Sequence, residues 1–122
     1  MQDKINLRPQ LDIVIGENQS LIEQFQNQTL RPILKLQNHL LLSLFQAYAL
    51  LHNLNLHSVS REKRTLLIQQ SISKDAALKN LLVGTIIRML TSGEADYYNT
   101  NSKEVNRRIA TLIMQRIDSQ LV

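Results

Sequence analysis

Residues 36–56 read LQNHLLLSLFQAYALLHNLNL, a stretch without one charged side chain. Wound at helical pitch, its apolar residues cover an arc on the order of 240°, against the ~100° stripe of a helix with one dry side. Lys35, His39, Ser43, Gln46 and Asn53 gather on a narrow polar strip, and everything opposite is apolar. Water would meet a wide apolar surface if such a helix stood alone. It is therefore either the central member of a bundle or half of an interface between chains. Its length would suffice for a membrane span. However, Gln37, Asn38, His39, Ser43, Gln46, His52, Asn53 and Asn55 would all have to be desolvated, which argues for packing within protein.

Working outward, Ser20 followed by Glu23 matches a capping box and places a helix start, after which Ile22, Phe25 and Thr29 share one face. Pro32 removes one helical hydrogen bond, and its ring presses on the preceding turn. The reading preferred is a new helix beginning near Thr29, with Pro32 in its first turn, and running to about Asn53. A polar connection follows, and Ser60 with Glu62 close behind caps a helix reaching about Ser71. Ser73 reads as the next cap, with Asp75 set favourably against the helix dipole. Leu78, Leu81, Leu82, Val83, Ile86, Ile87, Met89 and Leu90 again wrap a broad arc, and Gly84 in its middle marks the close approach of another backbone. Thr91 with Glu94 caps one or two turns before a polar loop at 99–102. Asn101 with Glu104 then opens a helix to about Gln120, with Val105, Ile109, Leu112, Ile113 and Ile117 inward.

The 122 residues suffice for one domain with one core. Aromatic residues make up only 4% of the chain, so Leu and Ile must build that core, which suits helix-to-helix packing. The fold expected is all-α: a bundle of four to five helices over residues 20–122, with one very apolar central helix. Residues 1–19, holding Pro9 and Gly16, form an N-terminal arm with a brief extended piece at 13–15. The chain has no cysteine, which rules out disulfides and thiolate metal sites and fits a reducing, cytoplasmic setting. Charges within residues 1–8 interrupt the apolar run that a signal peptide needs.

Chemistry is harder to find. His39, His52 and His57 are the only nitrogen ligands, and no His-Glu-x-x-His or Glu-x-x-His pattern accompanies them, so neither a metal nor another cofactor is expected. There is no glycine-rich phosphate loop, no nucleophile elbow and no paired-carboxylate arrangement. No catalytic residue is assigned. Polar residues on apolar faces stand out instead. Gln37, Asn38, Tyr98, Asn106 and Arg116 form a candidate polar pocket or internal network, in which Arg116 needs a carboxylate such as Glu23 or Glu104, or else a bound anion. The helices centred on Leu44 and Ile86 are more apolar than their neighbours can cover, which points to a homodimer or another protein partner. Leu40, Leu41, Leu44, Phe45, Tyr48, Leu51, Ile86 and Leu90 are the candidate interface. The formal charge of +4 is modest, and the basic clusters Arg61, Lys63, Arg64 and Arg107, Arg108 lack interleaved aromatics, so they read as solvated faces and not as a nucleic-acid footprint. The leading expectation is an assembly module without catalysis. A small-molecule-binding bundle stands as its rival.

Phe25-Gln26-Asn27, Leu30-Arg31-Pro32-Ile33, Lys35-Leu36-Gln37-Asn38 and Asn106-Arg107-Arg108-Ile109 carry a resemblance, over roughly Glu23 to Ile117, to a family of small uncharacterised helical bacterial proteins. Some members of that family bear the label glyoxalase, which implies a lyase of mixed helix and sheet with His and Glu metal ligands. This chain offers neither the strand pattern nor the ligand set. What the resemblance implies is a stand-alone helical domain.

Overall fold

A computed structural model describes residues 20–121, and among them the backbone forms six helices and no strand. The first, α1, is built of three consecutive segments, Leu21–Phe25, Gln26–Leu30 and Arg31–Leu36. Then come α2 (Asn38–Leu51), α3 (Arg61–Lys74), α4 (Ala76–Ile87), α5 (Ser92–Thr100) and α6 (Ser102–Gln120). The all-α expectation holds, with one or two more helices than the sequence suggested. The arm at 1–19 and its extended piece lie outside the described residues.

Local chemistry explains most boundaries. Ser20 accepts the Glu23 N–H through its hydroxyl and starts α1 at Leu21, where the sequence placed it. No new helix begins near Thr29, contrary to expectation. The backbone stays helical through Phe25, Gln26, Leu30 and Arg31. Over Gln26–Leu30 it widens into a π-turn, in which the Arg31 N–H reaches back five residues to the Gln26 carbonyl. Pro32 stands just past this turn and is buried. A proline ring presses on the carbonyl four residues earlier and brings no N–H to satisfy it, and a π-turn relaxes that crowding without ending the helix.

Gln37 separates α1 from α2 by one residue, at φ −91° and ψ 9°. The bend is held by the Gln37 side chain, whose Nε2 donates to the Thr85 carbonyl of α4 at 3.0 Å. At the far end of α2, Asn53 takes a positive φ of 53°. The Leu54 N–H bonds to the Ala49 carbonyl at 2.9 Å and the Asn53 N–H to that of Leu50 at 3.3 Å. These are the paired bonds of a helix terminus with a left-handed residue just beyond it. Asn tolerates that conformation better than most side chains do.

Ser60 caps α3 by accepting the Lys63 N–H. The following cap is Asp75 and not Ser73, because α3 continues to Lys74 and leaves a single residue before α4. Asp75 accepts the Leu78 N–H at 3.1 Å, and this bond is the foremost reason its carboxyl sits below the ordinary aspartate range. Because the folded-state pKa is depressed, the cap contributes in full above the unfolded value of about 3.9, and its contribution fades as acidification passes through the lowered folded value. Thermal melts of Asp75→Asn and the parent should therefore converge as pH falls from 6 toward about 2. A gap that stays constant over that range would contradict the assignment.

Gly84 does not mark an approaching backbone. Apart from the adjoining turns of its own helix, no atom of the described residues lies within 4 Å of where its Cβ would stand. Since glycine within a helix costs about 1 kcal/mol relative to alanine, Gly84→Ala should raise stability by about 0.5–1 kcal/mol in urea unfolding. A loss of stability would reveal an unseen neighbour. The Thr91–Glu94 capping box closes as expected: the Thr91 N–H donates to Glu94 Oε1 at 2.9 Å and the Glu94 N–H to Thr91 Oγ1 at 3.3 Å. Glu94 also accepts from Thr29 Oγ1, and Phe25 stacks on Tyr97 with ring centroids 4.6 Å apart, so α5 is tied to α1.

The core corrects one expectation of rank. The central member is α6, which packs against each of the other five helices. Val105, Ile109, Leu112, Ile113 and Ile117 are all buried, as the amphipathic pattern foretold. They meet Leu30, Ile33 and Leu34 of α1, Leu41 and Phe45 of α2, Ile68 and Ile72 of α3, and Leu82 and Ile86 of α4 in a single cluster. A stripe of long aliphatic side chains on a five-turn helix offers more edges to neighbours than the shorter α2 can. The greasier sequence thus lies at the side of the bundle and the more amphipathic one at its middle.

Candidate functional site

The broad apolar arc of α2 divides into two faces. Leu41, Phe45 and Ala49 point inward and are buried. Leu40, Leu44, Ala47 and Leu51 fall within a narrow sector on the other side, by helical geometry some 100° or more from the buried row. There Leu40 is 44% exposed and Leu51 is 81% exposed, while Leu44 is half-buried; Leu50, about 100° round the helix from Leu51 and among the polar residues, is also 81% exposed. Leu44 packs in part against the chain's own core, while Leu40, Ala47 and Leu51 stay exposed among the described residues.

The candidate interface residues part accordingly. Leu41, Phe45, Ile86 and Leu90 belong to the interior and offer nothing to a partner. The wide arc of α4 is covered by the chain's own core, apart from Leu81, which is exposed. Tyr48 is half-buried, lying against Phe45 and tilted on His52 with centroids 4.1 Å apart. Burial first, and Asp75 second, push its phenol upward. Leu40, Leu44 and Leu51 remain on the outward face. Leu50 was not singled out in the sequence, although a leucine beside Leu51 in a final helical turn points a different way and is an available signal.

The polar candidates occupy three separate places. Gln37 serves the α1–α2 bend. Tyr98 donates its hydroxyl to Asn106 Oδ1 at 2.9 Å, beside a groove of about 500 Å³ that Val83, Gly84 and Ile87 also line. Asn38 exchanges two amide hydrogen bonds with Gln120, each 2.8 Å, and accepts Arg116 Nη1 at 3.3 Å. Arg116 has neither of the carboxylates proposed for it. Glu104 is taken by Arg107 and Arg108, which together hold its carboxyl below the usual range, Arg107 foremost.

The basic clusters are likewise divided. Arg61 and Lys63 are exposed, whereas Arg64 is buried with its Nε 3.8 Å from Asp118 Oδ1. Among the described residues neither of those two atoms has a hydrogen-bond partner, while Asp118 Oδ2 accepts Thr65 Oγ1 at 2.9 Å. Arg108 sends Nη1 to Gln26 Oε1 at 3.0 Å on α1. Between α1 and α6 the surface sinks into two adjoining depressions of about 440 and 290 Å³, which share Arg31, Leu112 and Gln115. Arg31 was not among the sequence candidates; only the packing of α1 on α6 brings it here.

Among the described residues no helix is long and apolar enough to cross a membrane, and no group of three His, Asp or Glu side chains is placed to hold a metal ion. Comparison with known families, curated proteins and solved structures finds no match.

Proposed function

We propose that this chain is a non-enzymatic assembly module that forms a homodimer through the outward face of α2. The observation that carries this reading is the spacing of that face. Leu40, Leu44, Ala47 and Leu51 follow one another at intervals of four, three and four residues, the seam of a helix that pairs with another helix. The order is palindromic. About a two-fold axis, antiparallel pairing sets Leu40 against the partner's Leu51 and Leu44 against the partner's Ala47, so large and small side chains interleave.

Charge favours a second copy as the occupant. With no ionised side chain over residues 36–56, two such faces meet without like-charge repulsion, and a strongly charged partner finds nothing to pair with. The seam is about 17 Å long at 1.5 Å per residue, a small patch, so the expected dissociation constant is micromolar. Sedimentation velocity from low micromolar to about 100 µM should show monomer giving way to dimer. Monomer across that whole range would refute the reading.

A further inference from the structure

We propose that the trough between α1 and α6 binds a small polyphosphorylated anion, with Arg31, Arg108 and Arg116 as its ligands. The two depressions run together through Arg31, Leu112 and Gln115, and their volumes add to the size of an ordinary small-molecule site. Along α6, Arg108 and Arg116 are eight residues apart, about 12 Å, and Arg31 enters from α1 beside the residues the two depressions share.

What marks the trough is the partners these arginines have. Among the described residues the guanidinium of Arg116, half-buried, bonds only to the Asn38 amide oxygen, and that of Arg31 only to the Asn27 amide oxygen at 2.9 Å. Neither has a carboxylate among the described residues. An amide satisfies a donor yet leaves the guanidinium charge uncompensated, which is costly where solvent is partly excluded. The single acid at the trough's other end, Glu104, is shared by Arg107 and Arg108 and cannot neutralise both. Burial, and then the charge of Arg31, depress the Arg116 pKa, so the two guanidiniums repel across the space an anion would fill.

Phosphoryl groups suit this arrangement because a guanidinium offers paired N–H donors matched to two oxygens, and because several groups on one ligand can answer several arginines. Single-stranded nucleic acid is the lesser fit. No aromatic side chain lines the trough, so bases would have nothing to stack on. The trough also lies apart from the outward face of α2, so ligand binding and dimer formation stand or fall separately.

Inorganic triphosphate titrated into the full chain by calorimetry is the direct test. Saturable one-to-one binding is expected, weakened 10-fold or more by Arg31→Gln and by Arg116→Gln, and unchanged by Lys103→Gln, an exposed lysine outside the trough. Arg31 is exposed, so its variant should fold even if that of Arg116 does not. No binding at millimolar triphosphate would overturn the proposal, as would equal weakening by all three variants. So would an oligothymidylate that binds more tightly than triphosphate and displaces it.

Discussion

Asp118→Ala should destabilise the fold by about 3 kcal/mol or more, the largest loss expected from any single polar substitution here. Its partner Arg64 is 9% exposed, and the Arg64 Nε is buried without a hydrogen bond, 3.8 Å from Asp118 Oδ1. Removing the carboxylate leaves the buried Nε of that guanidinium with no counter-charge among the described residues, and strips Thr65 of one of the two oxygens its hydroxyl contacts. Solvation cannot compensate without opening the contact between α3 and α6. At 3.8 Å, however, the pair is held by charge and not by a direct hydrogen bond, so the intact interaction contributes little beyond offsetting its own desolvation. The double variant Arg64→Met with Asp118→Leu should therefore lie within about 1 kcal/mol of the parent in urea unfolding. If Asp118→Ala alone fell within 0.5 kcal/mol, the site would be wetter than the structure has it.

Arg64 also shows where sequence reasoning fell short. Beside Arg61, Glu62 and Lys63 it reads as one of a run of solvated charges. Yet it lies one turn before Ile68 and two before Ile72, both buried, and that four-residue stripe is visible without a structure. Composition overrode periodicity. Where the cause of an element is local, the reading succeeded: Ser20, Ser60 and the Thr91–Glu94 box each cap the helix they were assigned. Ser73 was preferred over Asp75 because either can cap, and only the extent of α3 decides between them. Pro32 was read as a start because the sequence has no sign for a π-turn. It can be seen only as a proline tolerated where a helix should break.

The candidate site was less legible for a different reason. Of the five polar residues grouped from the sequence, the structure brings Asn38 and Arg116 together, whereas Tyr98 with Asn106 and Gln37 with Thr85 lie elsewhere. Which polar residue meets which depends on helix order and rotation, and one amphipathic pattern is compatible with many arrangements. Arg31 illustrates the limit. On its own helix it is an exposed residue before a proline, and it becomes part of a cationic trough only across from Arg116. The apolar arc of residues 36–56 was read as either a bundle's centre or an interface, and the structure divides it: Leu41, Phe45 and Ala49 face the core, while Leu40 and Leu51 are exposed.

That exposed part makes the second large effect a matter of association and not of folding. If the proposed homodimer forms, a chain carrying Leu40→Glu and Leu51→Glu should lose it, with the dissociation constant raised 100-fold or more. Burying one leucine side chain contributes about 1.5–3 kcal/mol, and a two-fold interface counts each substitution twice. The monomer should keep its helicity and its unfolding midpoint, because neither residue belongs to the buried cluster. Loss of stability comparable to Phe45→Ala, a core change costing about 3–5 kcal/mol, would mean the face is covered within the chain. Orientation can be read from the same positions. In an antiparallel pair, residue 40 of one copy stands against residue 51 of the other, so Leu40→Lys combined with Leu51→Glu sets opposite charges together, while in a parallel pair it sets like against like. Sedimentation should then show the Lys–Glu chain dimerising more strongly than the Glu–Glu chain at low salt, and the difference should shrink as salt rises. A Lys–Glu chain no better than Glu–Glu would rule out the two-fold antiparallel seam, even if the leucines themselves proved to be an interface.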